Sequence, residues 1–153
     1  MEFGDYFCFG IDGIQLGIPL HTIDRVIRSV AVNQLPNPPR IVHGLIDYYG
    51  TIIPVINLRF RLAINEKPIS PDQLFLIVNT TARKLALVVD MAIGVVRFSD
   101  GELISSVQLD AGIEASGVFR TTDGVLLIYD PEKFLTSDEA VQLENYLKSE
   151  QVT

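Results

Sequence analysis

Apolar and polar positions alternate along this chain in short beats, and most of the beats are strand-length. Residues 6–11 and 14–18 are apolar runs separated by Asp12-Gly13. Asp-Gly suits a type I′ turn, whose two central residues both need positive φ, so the pair predicts a β-hairpin. Tyr6-Phe7-Cys8-Phe9 is apolar at consecutive positions, as in a strand covered on both faces. After Pro19, His21 or Thr22 can cap one helical turn ahead of Val26-Ile27. Leu35-Pro36-Asn37-Pro38-Pro39 removes ladder donors and predicts a loop. Strands follow at 44–48 and 51–56 around Tyr49-Gly50, and Asn57 can cap a short helix over 58–62. Residues 65–72 read as a loop with Pro68 and Pro71, and 73–78, 83–90 and 93–98 as strands. The polar stretch 100–112 reads as loop, and 117–121 and 125–129 flank Asp123-Gly124, a second hairpin signal. Asp130-Pro131 has the form of a capped helix start.

The tail differs in type. Thr136-Ser137-Asp138-Glu139 is a capping box, and Val141, Leu143, Tyr146 and Leu147 follow at roughly helical spacing. A helix is expected over 137–148, its apolar stripe docked either on its own barrel or on a partner.

The strands repeat. A shift of 69 residues lays Phe7-Cys8-Phe9 on Leu76-Ile77-Val78, Leu16 and Ile18 on Leu85 and Leu87, and Val26-Ile27-Arg28 on Val95-Val96-Arg97. A shift of 73 lays Gly44 on Gly117, Ile52-Ile53 on Val125-Leu126, Val55-Ile56 on Ile128-Tyr129 and Asn57 on Asp130. One four-residue insertion reconciles the two shifts. Both units open with a hairpin and close with a strand, an Asn or Asp cap and a short helix. A five-strand unit of this size can close as a small barrel, which removes exposed edges. The expectation is a mainly β fold of two small five-stranded barrels, over approximately 6–64 and 73–136, packed together with short helices and the terminal helix.

Composition narrows the function. Of 153 residues, 48% are hydrophobic and 20% charged, enough to build a core. Twelve Lys and Arg stand against 19 Asp and Glu, which argues against a nucleic-acid binder. Residues 1–76 are nearly neutral and carry five of the arginines, whereas 77–153 are acidic. Arg25, Arg28, Arg40, Arg59 and Arg61 can form a patch for an anionic partner or a solvated rim. No apolar run approaches the roughly 20 residues of a membrane span. The acidic start Met1-Glu2-Phe3-Gly4-Asp5 lacks a leader pattern, and a single cysteine suits a reducing cytosol. The expected location is cytoplasmic.

No catalytic constellation emerges. His21 and His43 have no partner at metal-ligand spacing, so no metal or other cofactor is expected. Cys8 lies in an apolar strand, more a small hydrophobe than a nucleophile. Nucleophile elbows, phosphate-cradling loops and dinucleotide fingerprints are absent from the sequence. Asp90, ending Leu85-Ala-Leu-Val-Val-Asp90, has the look of a receiver-domain phosphorylation site but lacks the companion carboxylates that would hold Mg²⁺. Asp123, Asp130, Glu132, Asp138 and Glu139 read as turns, caps and a solvated face.

Taken in order, several segments resemble the CheW-like domain of bacterial chemotaxis. They are Tyr-Phe-Cys-Phe-Gly-Ile-Asp-Gly (6–13), Leu-Gly-Ile-Pro-Leu (16–20), Ile-Asp-Arg-Val-Ile (23–27) and Leu-Pro-Asn-Pro-Pro (35–39). The most specific is 43–59, from His43-Gly44-Leu45 through Pro54 and Asn57 to Arg59, and 85–90 and 124–130 follow in the expected order. The resemblance implies two packed SH3-like five-stranded barrels and no catalysis. It implies a scaffold coupling chemoreceptors to a CheA-type histidine kinase. One surface would bind the kinase's homologous regulatory domain, and another, near the groove between barrels, the cytoplasmic tip of receptors; the scaffold would sit at membrane-associated receptor arrays without entering the membrane.

On that basis Asp24, Arg28, Tyr48, Tyr49, Arg59 and Arg61 are candidate partner contacts, and Gly44, Gly50, Pro54, Asn57 and Asp90 shape the barrels. Two positions depart from the family pattern. Its usual Asn-Leu-Arg-Gly turn is Asp47-Tyr48-Tyr49-Gly50 here, and its usual glutamate is Asp24. Tyrosine lacks the donor fork of arginine but can anchor an interface. The altered turn motivates an alternative, a divergent scaffold of another branch such as pilus motility or second-messenger control. A small-ligand-binding or enzymatic β-barrel is the third reading.

Overall fold

The structure is a computed structural model that describes residues 4–34, 36–98, 103–108, 114–122 and 124–151, with backbone alone at 103–108, 114–115 and 149–151. Eleven strands are seen among these residues. In the first half they are β1 (Asp5–Ile11), β2 (Ile14–Pro19), β3 (Ile23–Arg28), β4 (Val42–Tyr48) and β5 (Thr51–Ile56). In the second half they are β6 (Leu74–Asn79), β7 (Lys84–Val89), β8 (Met91–Arg97), β9 (Leu103–Gln108), β10 (Glu114–Thr121) and β11 (Gly124–Ile128). Helix α1 (Leu58–Arg61) follows β5, α2 (Ser137–Gln151) closes the described chain, and single 3₁₀ turns occupy Leu20–Thr22 and Pro131–Lys133.

The strands form two sheets, β8-β1-β2-β11-β10-β9 and β3-β6-β7-β5-β4. These are the two SH3-like barrels, one with six strands rather than five. Neither barrel is a contiguous piece of chain, so the division at 6–64 and 73–136 is corrected. The opening hairpin β1–β2 joins the second half's barrel, and β6–β7 joins the first half's. A hairpin turn is a local signal, whereas the sheet it enters is decided by non-local edges, which no local pattern encodes.

The repeat nevertheless holds in register. Phe7 opposes Val95 while their counterparts Leu76 and Val26 oppose each other. The parallel pair Gly17↔Ile128 has its counterpart in Ala86↔Val55. The four-residue insertion falls between β8 and β10, where β9 adds a sixth strand in a stretch expected to be loop. In the first half the equivalent contact is the single bridge Asn33↔Leu45. The expected 123–124 turn includes Asp123, which lies outside the described residues, as do residues 1–3, Leu35, 99–102 and 109–113 of the other expected segments.

Alternation along the strands feeds three cores. Ile46, Ile53, Val55, Phe75, Ile77, Ala86 and Val88 fill the β3–β7 barrel. Tyr6, Cys8, Phe98, Phe119, Leu126 and Ile128 fill the other. The opposite faces, including Phe9, Leu16, Ile56, Leu76 and Leu87, make one shared core between the barrels. Hence the first strand is apolar on both faces. Leu143 and Leu147 of α2 enter this shared core. Burial contributes about 2 kcal/mol per leucine, so α2 docks on its own protein. Its capping box is formed: Glu139 N–H donates to Thr136 Oγ1 at 3.1 Å and Thr136 N–H to Glu139 Oε1 at 2.8 Å.

Candidate partner-binding surface

The β4–β5 hairpin projects a pair of tyrosines. Tyr48 opposes Thr51 at its end, and Tyr49 and Gly50 form the turn with φ of +52° and +90°. Those angles fit a type I′ turn, in which a bulky residue at the first position costs of order 1 kcal/mol. Gly50 N–H donates to Asp47 Oδ1 at 2.8 Å and fixes the bend. Tyr49 is held there 90% exposed, its ring edge-on to Tyr48 at 4.7 Å between centroids.

Strand β3 completes the cluster. Arg25 Nη1 donates to the Tyr48 hydroxyl at 2.9 Å, with its guanidinium 5.5 Å from that ring's centroid. That hydrogen bond raises the Arg25 pKa, reinforced by Tyr48 and Asp24 charge. Asp24 lies 4.0 Å from Arg25 and receives a bond from Lys84 Nζ at 3.2 Å. Asp24, Tyr48 and Tyr49 are thus brought together. Arg28, at the other end of β3, is roughly 13 Å further along the strand. Arg25 stood in the arginine set but not among the candidates; only the cross-barrel approach of β3 to the β4–β5 turn reveals it.

Arg59 and Arg61 are elsewhere, and their assignment as partner contacts is corrected. Both are buried. Arg59 Nη2 donates to both oxygens of Asp90 at 3.1 and 3.2 Å, its Nη1 donates to Asn65 O at 3.2 Å, and Asp12 Oδ2 is 3.8 Å away. Arg61 Nε donates to Phe134 O at 3.1 Å and Nη2 pairs with Glu139. A short helix at the barrel junction turns both side chains inward, where they tie α1 to the β1–β2 turn and to α2.

The remaining candidates occupy structural positions. A Cβ on Gly44 would lie 2.6 Å from Asn33 O, so only glycine admits the Asn33 bridge. Pro54 opposes Leu45 in β5. Asn57 Oδ1 accepts from Phe60 N–H at 3.1 Å and caps α1. Asp90 joins β7 to β8 and accepts from Asp12 N–H at 2.7 Å and Gln73 Nε2 at 2.9 Å. Burial acts to raise its pKa, but the bonds from Gln73, Asp12 and Arg59 prevail and hold it below the usual value.

Two strand edges, one in each barrel, are apolar. Strands β3 and β8 are repeat counterparts, and each forms one edge of its sheet. Val26, Met91, Ile93, Val95 and Val96 are exposed on them, with Val30 just beyond β3. Four of these bare aliphatics, Met91, Ile93, Val95 and Val96, fall on the single strand β8. The run 93–98 reads in sequence as a strand with no sign of whether it is covered, so its exposure was not legible there.

Cys8 is buried and burial pushes its thiol up to about 11, opposite to an activated nucleophile. His43 is lowered by burial, with Glu66 opposing. Among the described residues no group of three His, Cys, Asp or Glu side chains is placed to hold a metal ion, and no helix is long and apolar enough to cross a membrane.

Fold and surface together define a two-barrel module with an exposed aromatic turn and exposed apolar strand edges. The chain belongs to the CheW-like domain family, whose model matches residues 5–139. It is 30% identical over 149 residues to the chemotaxis protein CheW of Treponema pallidum (strain Nichols), covering 90% of this chain and 88% of that protein. It is 25% identical over 100 residues to protein FrzA of Myxococcus xanthus, covering 65% and 62%. Among solved structures it resembles the scaffolding protein TtCheW from Thermoanaerobacter tengcongensis, with a TM-score of 0.78, 22% identity and coverage of 91% and 92%.

Proposed function

We propose that this chain is a non-enzymatic chemotaxis adaptor that couples chemoreceptors to a CheA-type histidine kinase. The carrying observation is Tyr49, 90% exposed in left-handed backbone at the tip of the β4–β5 hairpin. A protein keeps a strained, bare aromatic when a partner covers it. In this reading Asp24, Tyr48 and Tyr49, with Arg25, meet the regulatory domain of the kinase. The bare aliphatic edge of β3, Val26 with Val30 just beyond it, takes an amphipathic helix at the receptor tip, a mode in which apolar side chains at helical spacing fill a groove. Arg28 sits at the end of β3 and contributes at the rim of that edge.

The test is calorimetric titration of the kinase regulatory domain into the full chain, with Tyr49→Ala and Tyr49→Arg beside it. The expected result is micromolar binding, about −8 kcal/mol, weakened at least about tenfold by Tyr49→Ala. Absence of binding, or binding indifferent to both substitutions, overturns the assignment.

The similarity to FrzA, together with tyrosine at the arginine position of the turn, favours a second reading as a scaffold of another chemosensory branch. In that case Tyr49→Arg gains affinity for the chemotaxis kinase, and the native chain prefers a different kinase of the same host.

A further inference from the structure

The two barrels treat their mouths differently. In the β3–β7 barrel, Tyr48 packs against the inner core, and Asp24 and Lys84 pair across the opening. The repeat places Thr121 where Tyr48 stands, Ile93 where Asp24 stands and Gln15 where Lys84 stands. Losing the ring and the ion pair leaves a cavity of about 520 Å³ in the β1/β2/β8–β11 barrel. Its lining includes Cys8, Ile93, Val96, Phe98 and Leu126. That volume falls within the range of small-molecule sites, which combine apolar walls with a few polar groups.

Two polar groups on its lining are unspent. Thr121 Oγ1 is buried with no hydrogen-bond partner. A buried hydroxyl without a partner is costly, of order 1–3 kcal/mol. Arg120, beside it on β10, is exposed and forms no ion pair among the described residues. A free guanidinium matches a carboxylate through paired donors.

We propose that this cavity binds a small amphipathic monocarboxylate, its apolar body among Ile93, Val96, Phe98 and Leu126 and its carboxylate at the Thr121 hydroxyl and the Arg120 guanidinium. The site is separate from the aromatic turn, which belongs to the other barrel.

Octanoate is the probe and octanol its uncharged control, titrated into the full chain by calorimetry while amide shifts are followed by NMR. One-to-one octanoate binding is expected, with shifts centred on Cys8, Ile93, Thr121 and Leu126 and octanol at least about tenfold weaker. Arg120→Gln should erase that preference. Thr121→Tyr, which imports the other barrel's plug, should abolish binding while the melting curve stays cooperative. The proposal is overturned by absence of saturable binding up to roughly 10 mM, by equal affinity for octanol and octanoate, or by unchanged binding in folded Thr121→Tyr. Should Thr121→Tyr fail to fold, Arg120→Gln decides alone, because octanoate binding equal to the native chain's overturns the proposal.

Discussion

One barrel is closed by charge and aromatics, and its repeat counterpart is left apolar and open. The same difference runs through the junction. In the first unit Arg59 follows the cap Asn57 and reaches Asp90 and Asp12. In the second, Glu132 follows the cap Asp130 and accepts from Thr81 N–H at 2.7 Å and Thr81 Oγ1 at 3.0 Å. Thr81 is the counterpart of Asp12, so the donor and acceptor sides have been exchanged between the halves. A duplicated scaffold can therefore hold its backbone register while its polar contacts diverge. That divergence is what gives two similar barrels two different surfaces.

Breaking the first junction should have the largest effect. Arg59→Ala leaves Asp90 without its cation, while Asp12 keeps Lys67 Nζ at 3.6 Å. A buried pair broken on one side costs about 3–5 kcal/mol. Asp90 is about a third exposed, so about 2 kcal/mol is expected here after solvent screening. Glu132→Gln should cost under about 0.5 kcal/mol, because its contacts are solvent-exposed. Urea unfolding of both variants checks the pair; equal losses would show that the two junctions carry the same weight.

The cores offer a finer comparison. A Cβ on Gly17 would meet Ile128 Cδ1 at 2.9 Å. The counterpart pair is Ala86 against Val55, with one carbon moved from the strand to its neighbour. Gly17→Ala alone should destabilise by about 1–2 kcal/mol through overpacking, and Ile128→Val alone by about 1 kcal/mol. Together they recreate the other barrel's pair, so the double variant should lose less than the sum. Strict additivity in denaturant unfolding would mean that the two barrels do not share this packing solution.

Acid should separate the halves as well. The folded pKa of Asp90 is lowered, by bonds that outweigh its burial. Its stabilisation is therefore complete above its ordinary value of 3.8 and is lost as pH falls through that value toward the folded one. Stability measured from pH 6 to pH 3 should fall more steeply in the native chain than in Asp90→Asn. The counterpart of Asp90 is His21, an exposed residue in the turn before β3, so the first half has no matching carboxylate to protonate. Identical slopes would remove Asp90 from the acid response.

Much of this plan was legible in the chain and some of it could not be. The hairpin at Asp12-Gly13, the cap at Asn57, the capping box at Thr136 and the repeat itself are local or periodic signals, and each has its counterpart in the fold. The exchange of hairpins between barrels was hidden because strand pairing at long separation leaves no local trace. Arg59 and Arg61 read as surface cations because a charge in a polar-looking helix gives no sign of which way it points. The bare edge of β8 was hidden for the opposite reason, since an exposed apolar strand and a buried one have the same composition.

Tyr49 provides the smallest effect and the sharpest test of what the first barrel's turn is for. Its counterpart in the other hairpin is Thr122, so nothing in the fold demands an aromatic ring there. With φ at +52°, the position favours Asn, which adopts left-handed backbone at little cost. Tyr49→Asn should therefore stabilise the chain by about 0.5–1 kcal/mol, since the exposed ring's contact with Tyr48 returns less than the backbone strain costs. If the ring serves a partner, the same substitution should weaken kinase-domain binding while raising the melting temperature. A variant that gains stability and keeps full affinity would leave Tyr49 without a role in recognition. One that loses stability would show that the Tyr48–Tyr49 contact closes the barrel, with recognition resting on Asp24, Arg25 and Tyr48.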